Sequence, residues 1–449
     1  MNTPDLQQMV LAWVALIAVL IFVRWRWGMP GTGLTFAYLL NVSLIHLFGA
    51  AIYLMPAYQN RDARFTAIGF EQALYGITAF ALGGLLITPL LIRRGLLPRA
   101  GAVQVADARL PKAYIAAGVV FYILSASFLS HLPTASAIIS SGSQLVLVGF
   151  ALCCWKAWRE RRTRNLLFWL AASLSMPAVT LIVQGFLGFG AIAVLTLLIF
   201  VSTFVKSPWK VGLAGGLIVY FGLSVFVSYM RDRSEIRATV WGNQSFFDRI
   251  DRVLDTASTI EPFNPDDYAH LQRVDGRLNQ NFLVGVAVFQ LSQSQNFAHG
   301  DTLWDALLAL IPRAIWPEKP IHAGSGNLVA RFTGMDFAEG TSVGIGQVLE
   351  FYANFGTAGV AIGFLIMGVI VTALDWQAAE RLARNDLHGF VLWFLPGLAF
   401  LQVGGQLVEI TASAGASLLV AVAVNKYLHR MQTARTVQPA AQYEGMRAR

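Results

Sequence analysis

Gly188-Phe-Gly-Ala-Ile-Ala-Val-Leu-Thr-Leu-Leu-Ile-Phe-Val-Ser-Thr-Phe-Val205 contains no charged residue. Coiled as a helix at about 1.5 Å per residue, it reaches about 27 Å. That is close to the roughly 30 Å of hydrocarbon in a bilayer. Lys206 ends the run, and the pattern repeats on both sides, in 166–184 before it and 211–229 after it. The whole chain is 56% hydrophobic and only 13% charged, whereas a soluble domain carries about 25% charged residues. This much apolar surface exceeds what one globular core buries. The fold class expected is all-α, a polytopic transmembrane bundle.

The same reading gives eleven spans, at 9–23, 32–55, 71–92, 113–131, 137–155, 166–184, 188–205, 211–229, 355–375, 389–406 and 409–427. Basic residues collect on cytoplasmic loops, which gives the orientation. Arg24 and Arg26 follow the first span, Arg93, Arg94, Arg99, Arg109 and Lys112 the third, and Lys156 to Arg164 the fifth. Lys206 and Lys210 follow the seventh, Arg381 and Arg384 the ninth, and Lys426 and Arg430 the last. The opposite short connections hold only Arg61 and Arg64. The alternation places the N-terminus outside and the C-terminus in the cytoplasm. The net charge of +8 therefore calls for anionic membrane lipids and not for nucleic acid. Span one lacks a small-residue cleavage site and reads as retained. Cys153 and Cys154 are adjacent, no CxxC or HExxH occurs, and no metal site is expected.

The organisation follows: an N-terminal bundle over 1–229, a polar extracytoplasmic loop over 230–354, C-terminal spans over 355–430, and an unstructured tail over 431–449. The loop holds ten arginine and lysine residues against fifteen acidic ones, a net of −5. Its aromatic content and helical periodicity set it apart from a disordered linker. Phe246 to Leu254 reads as an amphipathic helix, and Leu278 to Leu291 as one too short to span, lying in the interface or against the bundle. Leu303 to Ile311 reads as a third, capped by Asp301 or Thr302 and stopped by Pro312. A glycine-rich stretch from Gly324 to Gly346 then leads to the ninth span. It lacks GxxxxGK[ST], so no nucleotide-binding loop is expected.

Candidate chemistry lies in this loop. If the eighth helix continues past the membrane, Arg233 and Arg237 share a face at i,i+4 beside Arg231, and Arg273 and Arg277 repeat the spacing. Guanidinium forks bind phosphate oxygens through paired hydrogen bonds and stay charged at any relevant pH. The bland reading of each arginine is a salt bridge to Asp232, Glu235, Asp248 or Asp275. Arg313 and Lys319 sit in Ile311-Pro-Arg-Ala-Ile-Trp-Pro-Glu-Lys-Pro320, where prolines stiffen the backbone and Trp316 suits headgroup depth. Glu350, four residues before Asn354, enters the membrane partly withdrawn from water and is the leading general-base candidate. Glu71, Glu409 and Asp375 are further ionisable residues at span ends. His270, His299 and His322 are scattered.

The stretch 311–320, followed by Gly324, Gly340-Thr-Ser342 and Glu350-Phe-Tyr-Ala-Asn354-Phe-Gly356, resembles the Wzy-type oligosaccharide repeat-unit polymerases over residues 230–356. The resemblance implies a glycosyltransferase of the bacterial inner membrane with no cofactor. It would transfer a growing glycan from undecaprenyl diphosphate to the non-reducing end of another lipid-linked repeat unit, with a chain-length regulator as a possible partner. Arg313 and Lys319, aided by Arg231, Arg233, Arg237, Arg273 and Arg277, would bind the departing diphosphate. Glu350 would activate the acceptor, and Trp316, Asn327 and Asn354 would shape the glycan site. An O-antigen ligase has the same architecture and is one alternative. A lipid-linked oligosaccharide flippase is the other, although no convincing pair of broken helices is present.

Overall fold

The computed structural model describes residues 5–58, 63–103, 107–125, 133–205, 207–242, 244–311, 316, 318–319, 324–337 and 343–447. Among them the regular structure is all-α. The chain opens with α1 (Leu6–Trp27), α2 (Leu34–Ala51), α3 (Ala63–Leu82) and α4 (Thr88–Arg93), the last two joined by a π-turn at Gly83–Ile87. Next come α5 (Leu110–Leu124), α6 (Pro133–Ser143), α7 (Leu145–Arg159), α8 (Thr163–Ser173), α9 (Ser175–Gln184) and α10 (Leu187–Ser202). The long α11 (Pro208–Trp241) leads to five short helices: α12 (Phe246–Ser258), α13 (Tyr268–Leu278), α14 (Gln280–Ser294), α15 (Asp301–Ala309) and α16 (Ser325–Thr333). The last three are α17 (Gln347–Ala383), α18 (Leu387–Ala399) and α19 (Leu407–Arg447).

Eight stretches are long and apolar enough to cross a membrane: α1, α2, α3–α4, α6–α7, α8–α9, α11, α17 and α19. This is the signature of a multi-pass membrane protein. The other expected spans fall on α5, α10 and α18, which are apolar but shorter; residues 126–131 of the fourth lie outside the described residues. The most apolar stretches of α1, α8–α9 and α11 are only 11%, 17% and 17% buried. Phe22, Phe168, Leu217 and Phe221 are exposed along them. In water such patches would be a liability; against lipid tails they are the natural outer wall. α17 lies inside, packed on α2, α3, α14 and α18.

Two contacts set this interior. α3 crosses α14 at backbone distance, because a Cβ on Gly69 would strike the Asn281 carbonyl and one on Gly285 would strike that of Phe65. Small residues permit such an approach between apolar helices. The second contact is ionic. Asp375 of α17 accepts from Arg24 Nη2 at 3.0 Å, with the two side chains 0% and 6% exposed. Its Oδ1 also accepts from the Thr32 amide at 2.6 Å, the Thr32 hydroxyl at 2.8 Å and the Leu34 amide at 3.2 Å. Its Oδ2 accepts from the Thr35 amide at 3.4 Å and hydroxyl at 2.8 Å. Asp375 thus meets the open amides at the start of α2, where the helix dipole favours an anion. Both oxygens are occupied, which makes Asp375 a structural anchor.

Several boundaries differ from the sequence reading. α11 runs on to Trp241, so the segment from Arg231 to Arg237 is helical and its i,i+4 spacing holds. α14 lies against the bundle, burying Val284, Val288 and Leu291. α15 is capped by Gly300 in place of Asp301 or Thr302, with no side-chain cap bond. The glycine-rich stretch contains α16, which buries Val329 and Phe332 one turn apart. α17 begins at Gln347 and is kinked where Phe355 (φ −142°) and Gly356 (φ 62°) leave helical geometry. A left-handed φ is cheap only for glycine. α19 continues to Arg447, past Met431, where an unstructured tail was expected; many residues there are good helix formers.

Replacing Asp375 by Asn should leave Arg24 buried without a counter-ion, at a cost of about 3–5 kcal/mol. Denaturant unfolding in detergent micelles measures it. A loss below about 1 kcal/mol, the value of an exposed pair, would show that the contact does not anchor α17.

Candidate functional site

α11 is 34 residues long, about 51 Å at the helical rise, and so outruns a hydrocarbon layer of about 30 Å. Its last turns carry Arg231, Arg233 and Arg237. Tyr229 donates to the Gly185 carbonyl at 3.1 Å, which sets this end against the turn between α9 and α10. α13 folds back onto α2 and α11, with Leu271 and Val274 clustered with Val227 of α11 and Ile52. Arg277 is thereby brought beside Arg233 and Arg237. Partial desolvation of its guanidinium, then the like charges of those two arginines, draw Arg277 below the ordinary arginine value. Arg273 lies one turn away on α13, with Nη1 buried and unpartnered.

Among the described residues, no carboxylate lies within ion-pair distance of Arg233, Arg237, Arg273 or Arg277. The four carboxylates that could neutralise them are held elsewhere. Asp232 pairs with Arg231 at 2.8 Å and Arg252 at 3.7 Å, and Glu235 pairs with Arg252 at 2.7 Å. Asp248 closes the capping box of α12 with Ser245. Asp275 accepts from the hydroxyls of Tyr53 at 3.0 Å and Tyr58 at 2.6 Å and from Asn279 Nδ2 at 2.7 Å. Arg237 instead lies over the rings of Phe186 and Trp241, 4.6 and 4.9 Å from their centroids. Its Nε is buried without a hydrogen-bond partner. Clustered guanidiniums lacking counter-ions form an anion site, and their paired N–H groups suit phosphate oxygens.

Arg231 is separate from this group. It grips Asp232 through Nε and Nη2, pairs with Glu261, and donates to the Thr259 carbonyl and hydroxyl. Its donors tie α11 to the chain after α12. Glu261 is also bound by His270, whose Nδ1 accepts the Asn264 amide. The His270 contact, then Arg231, hold the Glu261 carboxyl below its usual range.

Glu350 belongs to a second place. It is 0% exposed on the first turn of α17, ahead of the kink. Its Oε2 accepts the Leu407 amide of α19 at 2.7 Å, while Oε1 has no hydrogen-bond partner. The turn is fixed by Gly346 and Gln347 donating to the carbonyls of Gly404 and Val403, at 3.1 Å each. Asn354 is equally buried: its Nδ2 donates to the Thr302 hydroxyl and the Glu350 carbonyl at 2.7 Å, and its Oδ1 accepts the Gly300 amide at 2.9 Å. It fixes the start of α15. Glu409 and Asp305 lie close enough to Glu350 to act on it electrostatically.

The structure therefore brings Arg233, Arg237 and Arg277 together, with Arg273 adjacent, and separately joins Glu350 to Asn354. Lys319 is buried and donates to the Ile311 carbonyl at 2.6 Å and that of Ala309 at 3.5 Å, covering the end of α15. Trp316 is 40% exposed, and Asn327 is exposed on α16. Arg313 lies outside the described residues. Three further amides, two at the head of α14 and one at the start of α17, make hydrogen bonds inside the bundle. Gln347 accepts the Tyr38 hydroxyl, Asn281 pairs with His46 at 2.7 Å, and Gln280 contacts the Gly344 and Gly404 carbonyls. Gln280 and Asn281, standing at the head of an otherwise apolar run, were the available signal.

Fold and site define a class: an all-α multi-pass membrane protein with a clustered guanidinium surface at one end of a long helix. The chain belongs to the family described as a domain of unknown function (DUF8712), whose model matches residues 98–429. That range contains the arginine cluster and Glu350. No curated protein and no solved structure matches the chain significantly.

Inorganic diphosphate should raise the melting temperature of the purified protein by binding only the folded state. The double variant Arg233→Gln, Arg277→Gln should lose that shift while melting no lower without ligand, because it relieves repulsion between like charges. Thermal scans with and without diphosphate check both statements. An undiminished shift in the variant would place the anion elsewhere.

Proposed function

We propose that this protein is a glycosyltransferase that polymerises lipid-linked oligosaccharide repeat units. The observation that carries the reading is the arginine cluster without carboxylate partners at the end of a membrane helix. It is joined by the resemblance of residues 230–356 to the Wzy-type polymerases. In the proposed topology all eleven apolar segments span a bacterial inner membrane, and residues 230–354 face outward. The arginines then sit where the diphosphate of an undecaprenyl-linked glycan emerges from the bilayer.

In the reaction, a hydroxyl at the non-reducing end of one lipid-linked repeat unit attacks the anomeric carbon of the other glycan. The bond from that carbon to the diphosphate oxygen breaks, and undecaprenyl diphosphate departs with the negative charge. Arg233, Arg237, Arg273 and Arg277 stabilise this charge as it develops, the type of electrostatic assistance that gives the largest single contribution in many enzymes. Glu350, with one oxygen unpartnered, is assigned to take the hydroxyl proton. Arg313 would add to the cationic surface. Lys319, spent on carbonyls, is assigned to hold α15 in place.

Deleting the protein should leave single repeat units on lipid, exposed outside the membrane, with no polymer; mass spectrometry of the lipid-linked pool reads this directly. Full-length polymer still on its lipid would indicate a ligase, repeat units retained inside would indicate a flippase, and an unchanged pool would exclude glycan transfer altogether. Glu350→Gln keeps an acceptor for the Leu407 amide and so should fold. It should reduce polymer by about 100-fold or more, the typical contribution of a general base. Polymer of normal amount and length in that variant would remove Glu350 from the chemistry.

A further inference from the structure

A cavity of about 290 Å³ lies between α5, α7 and α8. It lies by the end of α10 opposite to the arginine cluster. α7 ends beside the end of α10, where Trp158 stacks on Phe204 at 4.8 Å, whereas the arginines stand at the turn from α9 into α10. Lys112, Lys156 and Arg162 line the cavity together with Phe168 and Trp169. Glu160 is the acidic residue of the lining; it pairs with Arg162 at 3.2 Å and Lys156 at 3.8 Å. One carboxylate against three cations leaves the cavity with a net positive charge of two.

Its size and its rim point to an occupant. Sites for drug-sized ligands run from about 300 to 1,000 Å³, so this space suits a headgroup and not a whole lipid. The aromatic wall continues outward as bare apolar surface: Phe168 is 61% exposed, and Leu167 and Leu174 of the same stretch are exposed with it. A soluble anion would gain nothing from that track, whereas acyl chains would lie along it. We propose that the cavity is a binding site for an anionic phospholipid, with the headgroup phosphate between Lys112, Lys156 and Arg162 and the chains against α8. Basic pockets between membrane helices take such headgroups. The proposal rests on the membrane reading and is independent of glycan transfer.

The test is native mass spectrometry of the full chain released from detergent micelles containing phosphatidylglycerol or phosphatidylcholine of the same chain length. Phosphatidylglycerol should be retained in preference. The double variant Lys112→Gln, Lys156→Gln should weaken its binding by roughly ten- to thirty-fold. Inorganic phosphate at millimolar concentration should not displace it. Should the double variant fail to fold, the exposed Arg162→Gln gives the same readout with a smaller loss. Equal retention of both lipids, or binding unaffected by the variants, would overturn the proposal. Displacement by inorganic phosphate would also overturn it, by showing that the cavity takes a free anion.

Discussion

The ion pair between Arg24 and Asp375 joins residues 351 positions apart in the chain and fixes where α17 can stand. A carboxylate this deeply buried is tolerable only with excellent partners, and Asp375 has the guanidinium, two hydroxyls and the amides that open α2. α1 and α17 are thereby tied together. Because α17 is the inner helix against which α2, α3, α14 and α18 pack, their relative placement follows from this anchor. Ahead of the kink at Phe355–Gly356, Glu350 accepts the Leu407 amide of α19.

Around that interior, the chain distributes its charges in two ways. Four carboxylates in the polar insertion are committed: Asp232 and Glu261 to Arg231, Glu235 to Arg252, Asp275 to two tyrosines and an amide. Four arginines on α11 and α13 receive none of them. Surface ion pairs are individually worth little, so the pattern matters less for stability than for what it leaves over. A protein that kept these guanidiniums together without a ligand would carry repulsion for no return. That asymmetry supports the assignment to a phosphate-bearing substrate.

The helices and their apolar faces were legible in the sequence because the length of an uncharged run is a local property. The i,i+4 arginine pairs were legible for the same reason. α16 was not, since Gly324 and Gly334 at its ends hid the Val329–Phe332 spacing within a stretch that reads as loop. The cap of α15 was misplaced because Asp301 and Thr302 are good capping residues, while Thr302 is instead bound by Asn354. Lys319 read as a cation offered to a ligand; its burial against the Ala309 and Ile311 carbonyls depends on how the chain folds back on α15. Asp375 read as an isolated ionisable residue because its partners lie 340 or more positions away. Which carboxylates pair with which arginines is tertiary information of the same kind.

The most direct test is reconstitution of the purified protein in proteoliposomes with a lipid-linked repeat unit as the sole substrate. The account predicts lengthening lipid-linked glycan, one polyprenyl diphosphate released for each linkage formed, and loss of both in Arg233→Gln, Arg277→Gln. Folded wild-type protein that binds the substrate yet releases no polyprenyl diphosphate would contradict it.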